Sequence, residues 1–192
     1  MAIQKSEFYR PDFHSLEPGH HLISIYESRR EQMAAVVPFL HRGLAQGAKT
    51  VFVTHDLGPK RILDSLAREG HDVETLRIRG QLVPLRSDES YIQGGFFSAD
   101  RALVDLVHLI EQTAREGWPY LCLTGEVNWA LLPIPGVEQL WRYEAEAHAI
   151  ISQSECVALC QYDLDTFGKG FQRKVVGCHS HMAAGTQLFK VH

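Results

Sequence analysis

Three short stretches of this 192-residue chain gather the side chains able to hold a soft metal ion, attack a carbon centre or move a proton. They are His20-His21, Cys160-Gln161-Tyr162-Asp163 and Cys178-His179-Ser180-His181. Thiolate sulfur and imidazole nitrogen suit first-row transition metals. The cysteines are Cys122, Cys156, Cys160 and Cys178, with no Cys-x-x-Cys pair, so neither a zinc ribbon nor a thioredoxin-type motif is supported. A thiol nucleophile needs a neighbouring base and accessible, electropositive surroundings. Cys160 ends an apolar run, which predicts a packed thiol instead. No Gly-x-Ser-x-Gly elbow is present. A metal or thiol-redox switch built from Cys160, Cys178, His179 and His21 is one reading of these residues. Packed cysteines with hydrogen-bonded histidines is the plainer one.

Glu144 is the other chemically informative residue. The segment after Gly136 carries an apolar stripe of Val137, Leu140, Trp141 and Ile151, and Glu144 falls on it, with His148 one turn further along the same face. A carboxylate that faces a core must be paired, hydrogen-bonded or protonated. Either a structural ion pair or a ligand contact would satisfy that.

Alternating apolar runs and helical patterns must position these groups. His21 to Tyr26, Lys49 to His55, Gln81 to Leu85, Tyr120 to Thr124 and Glu155 to Tyr162 read as strands, with Thr186 to Val191 as a closing edge. Pro84 makes the third strand short or peripheral. Helices are expected over 28–46, 59–69, 98–116 and from Gly136 to about 152, with a brief helical turn or a strand at 73–78 and a short helix within 168–178. Gly125 to Trp129 reads as a loop. The pattern predicts an α/β fold, a mostly parallel sheet of five to six strands with helices on both faces. Residues 1–18 read as a lead-in to a single domain over 19–192.

In such sheets ligands bind beyond the carboxyl ends of the strands. Those ends here offer Tyr26 and Glu27, Thr54 and His55, Arg86 and Asp88, Thr124 to Glu126, and Tyr162 and Asp163. A nucleotide-hydrolysing protein would place a glycine-rich phosphate cradle between the first strand and its helix. The turn is instead Glu27-Ser28-Arg29-Arg30-Glu31, without glycine and with two carboxylates. ATP chemistry is therefore not expected. The net charge of −4 argues against general nucleic-acid binding. With no signal-peptide core and no bilayer-length apolar run, a cytoplasmic location is expected.

A set of residues in a fixed order resembles the MEDS domain, the methanogen/methylotroph sensory domain of the dichloromethane-regulator type. They are Gly19-His20-His21-Leu22 with Tyr26-Glu27, Gly43-Leu44 and Gly47, Tyr91 with Gly95-Phe96-Phe97, Thr124-Gly125-Glu126 and Trp129, Glu144, Cys160-Gln161-Tyr162-Asp163, and His179. The resemblance spans about residues 17–186. It implies a RecA/KaiC-like three-layer sandwich without a working phosphate loop, and a sensory role toward small hydrocarbon derivatives. By position it implies a ligand pocket of His21, Glu126, Trp129, Glu144, Cys160, Tyr162 and His179, to which the first strand end adds Tyr26. Two departures stand out. Ser180 replaces the proline that usually follows the late histidine, and Leu121 or Cys122 stands where the fourth strand often carries arginine.

These observations lead us to expect a non-enzymatic sensor of a small organic molecule, with no catalytic residues, no metal and no cofactor. It would signal through a kinase or transcription-regulating partner and touch neither nucleic acid nor membrane, and a homodimer is compatible with that role. No output domain is evident within the 192 residues. The alternatives are the metal or thiol-redox switch and a pure adaptor in a kinase or sigma-factor pathway, whose strand-end crevice would be filled by its own side chains.

Overall fold

The computed structural model describes residues 13–167, 176–185 and 187–191. Seven strands form one sheet in the order β3-β2-β4-β5-β1-β6-β7. The central members are β1 (His21–Tyr26), β2 (Lys49–Thr54), β4 (Leu121–Glu126) and β5 (Cys156–Asp163). They read as nearly continuous apolar runs because both faces are covered, as a parallel sheet requires. β3 (Leu82–Arg86) lies at one edge, where Pro84 removes no ladder donor that a further strand needs. β6 (His181–Ala184) and β7 (Gln187–Lys190) form the other edge as an antiparallel pair. All other pairings are parallel.

Strand alternation sorts the side chains onto two cores. Leu22, Phe52, Cys122, Val157 and Leu159 face α1 (Arg29–Ala45), α2 (Pro59–Arg68) and α3 (Val73–Ile78). Ile23, Val51, Leu121, Ala158 and Tyr162 face α4 (Ala99–Arg115) and α5 (Leu140–Ile151). α1 starts where the Ser28 hydroxyl accepts from the Glu31 backbone N–H, and Ser98 does the same for α4 through Arg101. Gly43 lets α1 lie close against β4, since a Cβ there would meet the Cys122 sulfur at 2.6 Å. The buried face of α1 also includes Gln32 and Arg42. Arg42 reaches the Tyr120 hydroxyl and the Leu16 carbonyl.

Several expectations need correction. The sheet has seven strands, not five to six. A four-residue strand that opens on histidine, as β6 does, carries too little alternation to be recognised. Of the two readings of residues 73–78, the helical one holds, with Asp72 as the cap. β4 runs on through Gly125 and Glu126, which pair with Cys160 and Gln161, so these two are strand and not loop. On α5 the inward positions are Leu140, Tyr143, Glu144, Ala147 and Ile151, whereas Trp141 is only half-buried. A four-residue helix, α6 (Leu164–Phe167), follows β5. The helix expected within 168–178 lies largely outside the described residues, as does Thr186.

Candidate functional site

The period of two along each strand divides the expected site between the two faces of the sheet. Glu126 and Tyr26 point to the α1 side. His21, Cys160 and Tyr162 point to the α5 side, where Glu144 meets them.

On the α1 side, Glu126 is fully buried and saturated with donors. It accepts from Arg29 Nη1 at 2.9 Å, Gln32 Nε2 at 2.7 Å, and the backbone N–H groups of His55 and Leu57. Gln32 also donates to Gln161 Oε1 at 2.8 Å, and Gln161 donates to Thr124 Oγ1 at 2.8 Å. The Tyr26 hydroxyl accepts from Asn128 Nδ2, which also donates to Asp56. Burial and the nearby Glu126 charge push the Tyr26 hydroxyl well above the usual phenol range. This network occupies the space between the ends of β4 and β5 and the start of α1, while an open cavity of about 650 Å³ remains beside the end of β1, against Ile25, Glu27, Glu31 and Leu164.

On the α5 side, four elements bring His21, Glu144, Cys160 and His179 together. β1 begins at His21, and β5 sets Cys160 opposite Ile23, two residues further along β1. α5 supplies Glu144. His179 is held by a clamp just before β6: Ser180 Oγ accepts from the His21 backbone N–H at 3.1 Å and donates to the His21 carbonyl at 3.0 Å. The Ser180 N–H donates to that same carbonyl at 2.8 Å. Ser180 is thus the residue that ties His179 beside His21. Their rings lie 4.1 Å apart between centroids, and His148 stacks on His21 at 5.7 Å.

The nearest atoms of this group converge on one carboxylate oxygen. Glu144 Oε2 lies 3.7 Å from His21 Nε2, 3.5 Å from His179 Nε2 and 3.7 Å from Cys160 Sγ. His21 Nε2 lies 3.3 Å from Cys160 Sγ. The other carboxylate oxygen, Oε1, accepts from the Tyr162 hydroxyl at 2.5 Å. Among the described residues the ion-pair partners of Glu144 are the two histidines, and no lysine or arginine reaches it. Burial therefore pushes Glu144 up to about 7, against the pull of the Tyr162 and Cys160 hydrogen bonds. Burial first, and the Glu144 charge second, raise the Cys160 thiol well above its ordinary range. Burial lowers His21 well below the usual imidazole value, helped by His179 and His148. The resulting set is a neutral imidazole, a thiol and a carboxyl that readily keeps its proton.

Two small cavities lie on this face, and the smaller one adjoins the group. One of about 10 Å³ is lined by His21, Cys160, Gly125, Tyr91 and Tyr143 among others. A second of about 50 Å³ lies between α4 and the sheet, against Val51, Leu85, Leu106 and Leu123, with Ser90 and Asp105 also on its wall. Both share Tyr91, Leu106, Leu123 and Tyr143. Gly125 is required at this junction, because a Cβ there would meet the Tyr91 hydroxyl at 2.7 Å. Trp129 is buried against Tyr91 and Phe97, with ring centroids 5.3 and 4.7 Å apart, and lines neither cavity.

Residues 20–180 match the MEDS family, described as the methanogen/methylotroph, DcmR sensory domain. The chain belongs to this family. No curated protein matches it. Among solved structures, a KaiC-like protein from the hyperthermophilic archaeon Pyrococcus horikoshii superimposes with a TM-score of 0.61 at 11% identity. The match covers 94% of this chain and 80% of that one. At that identity the likeness shows the fold, RecA/KaiC-like α/β, and nothing of the chemistry. The MEDS description gives the chain a sensory role. Among its described residues no helix is long and apolar enough to cross a membrane.

Of the eight residues expected to bind ligand in this MEDS chain, His21, Glu144, Cys160, Tyr162 and His179 come together. Tyr26 and Glu126 belong to the opposite face, and Trp129 supports the wall behind Tyr91. Tyr143 and Gly125 were not among the expected site residues. Tyr143 could have been placed by its helical spacing from Leu140 and Ala147. Gly125 and Tyr91 sit in the family pattern, but no local periodicity shows that they touch.

Proposed function

We propose that this MEDS chain is a non-enzymatic sensor whose signal is a very small organic molecule. The molecule would lodge between α4 and the sheet and be read by the acid–histidine–thiol group at the inner end. The observation that carries this reading is the succession of two cavities sharing Tyr91, Leu106, Leu123 and Tyr143, of which the inner one ends on His21 and Cys160. A water occupies roughly 10–15 Å³ on this scale. The outer cavity of about 50 Å³ therefore suits a molecule of a few heavy atoms. Its apolar wall and few polar groups are the usual make-up of a small-ligand site.

Binding rather than catalysis is supported by the Cys160 thiol, which burial and Glu144 keep protonated and poorly nucleophilic. The carboxylates at the start of α1, Glu27 and Glu31, and the buried Glu126 behind them disfavour phosphate. Output through a protein partner, a kinase or a transcription regulator, is the part of the reading that draws on the sensory description and the acidic net charge. Occupation of the cavity would favour one arrangement of α4 and α5 over another, and the partner would read that difference.

The test is the unfolding midpoint of the whole chain against a panel of one- to three-carbon organic molecules, for wild type and for Leu106→Phe, which fills the cavity. The reading requires at least one compound to raise the wild-type midpoint and to lose that effect in the variant. A flat panel, or an equal shift in both proteins, overturns it.

A further inference from the structure

We propose that His21, Glu144, Cys160 and His179 form a four-coordinate site for a divalent transition-metal ion of borderline softness, such as zinc or cobalt. The inference goes beyond the small-molecule reading and holds whatever enters the cavity.

The first support is geometric. Tetrahedral zinc with nitrogen and oxygen ligands at about 2.0–2.1 Å and sulfur at about 2.3 Å places its ligand atoms roughly 3.3–3.8 Å apart. Four of the contacts in this group measure 3.3, 3.5, 3.7 and 3.7 Å. Every ligand atom lies within 4.8 Å of every other, so small side-chain rotations would complete the polyhedron. Two strands, a helix and a clamped turn supply the four residues, and rigid elements of this kind hold a coordination set better than loops do.

The second support is the arrangement of groups around the ligands. Tyr162 donates to Glu144 Oε1 and so leaves Oε2 turned toward the other three donors. The Ser180 clamp fixes the backbone on either side of the two histidines. Metal sites depend on such outer contacts to orient their ligands.

The third is charge. A buried carboxylate beside a thiol, with no lysine or arginine reaching that carboxylate among the described residues, is an unusual thing to assemble. A dication resolves it: Cys160 gives up its thiol proton to solvent, Glu144 is ionised, both histidines coordinate as neutral imidazoles, and the sum is zero. Two histidines, one thiolate and one carboxylate are ligand types that suit zinc.

The test uses the full chain, stripped of metal and titrated with cobalt(II), then zinc(II). We expect one cobalt per chain, with a sulfur-to-cobalt charge-transfer band and the strong visible bands of tetrahedral cobalt, both erased by zinc. Cys160→Ser should remove the charge-transfer band, and Cys178→Ser should keep it. Tyr162→Phe, which leaves all four ligands in place, should weaken binding by about ten- to a hundredfold. Circular dichroism checks that each variant folds. Should Cys160→Ser fail to fold, X-ray absorption at the zinc edge of the wild-type protein decides, with one sulfur and three nitrogen or oxygen neighbours expected. Folded wild-type protein that takes up neither ion overturns the proposal. So does a charge-transfer band that survives Cys160→Ser, or a zinc shell with no sulfur or more than one.

Discussion

Glu126 and Glu144 are both buried, at 0% and 1% exposure, yet their surroundings are opposite. Glu126 accepts from a guanidinium, an amide side chain and two backbone N–H groups. Glu144 has one phenol, one thiol and two imidazoles. The first carboxylate has its donors complete within its own neighbourhood. The second is left with groups that can all change partner or protonation state. Burial of an acid therefore does not mark a functional site. The kind of donors around it is the better guide, and by that criterion the site we propose lies on the α5 face of this MEDS domain and not at the strand ends.

The contrast can be broken most directly at Glu126. Glu126→Ala strips the acceptor from four donors, and urea denaturation should show a loss of about 3 kcal/mol. A loss under about 1 kcal/mol would make the two acids equivalent.

Glu144 should respond to pH in the reverse sense of an ordinary stabilising carboxylate. The folded chain holds a proton up to about 7, whereas an unfolded glutamate releases it near 4.5. Between these values the folded state binds more protons, so the contribution of this group to stability is full at low pH and falls as pH rises toward 7. In the presence of a chelator, stability should drop by up to roughly 3 kcal/mol across that window. Glu144→Gln should flatten the profile and match or exceed wild-type stability at pH 7. An unchanged profile in the variant assigns the titration elsewhere.

Gly125→Ala pushes on the Tyr91 hydroxyl at the junction of the two cavities. A cost of about 1–3 kcal/mol is expected from overpacking, together with a lost response to small molecules. A variant that keeps the response would detach the cavity from the function. The smallest effect is expected at Cys178→Ser, within about 0.5 kcal/mol, because this thiol is only half-buried and stands outside the group.

Much of this was legible in the residues. The five strands at the centre and one edge, the capping serine Ser98, the missing phosphate cradle and the anomaly of Glu144 all follow from local patterns. The division of the site was legible too: Cys160 and Tyr162 share parity along β5, and Gln161 does not. Placing Gly125-Glu126 in a loop concealed the same parity on β4. Other features are set at long range. The Ser180 clamp that brings His179 to His21 joins residues 159 apart, and no spacing rule reports it. Tyr91 reaches Gly125 from a loop without periodicity. β6 is too short to declare itself before its partner β1 is in place.

The central claim is that signal is received on the α5 face and not at the strand ends. Its most direct test is nuclear magnetic resonance of methyl- and amide-labelled protein during titration with a small molecule that raises the unfolding midpoint. Perturbations centred on Leu106, Leu123, Tyr143 and Cys160, with Arg29, Gln32 and Leu57 unmoved, are the predicted result. Perturbations centred on Arg29, Gln32 and Glu126 would contradict the account.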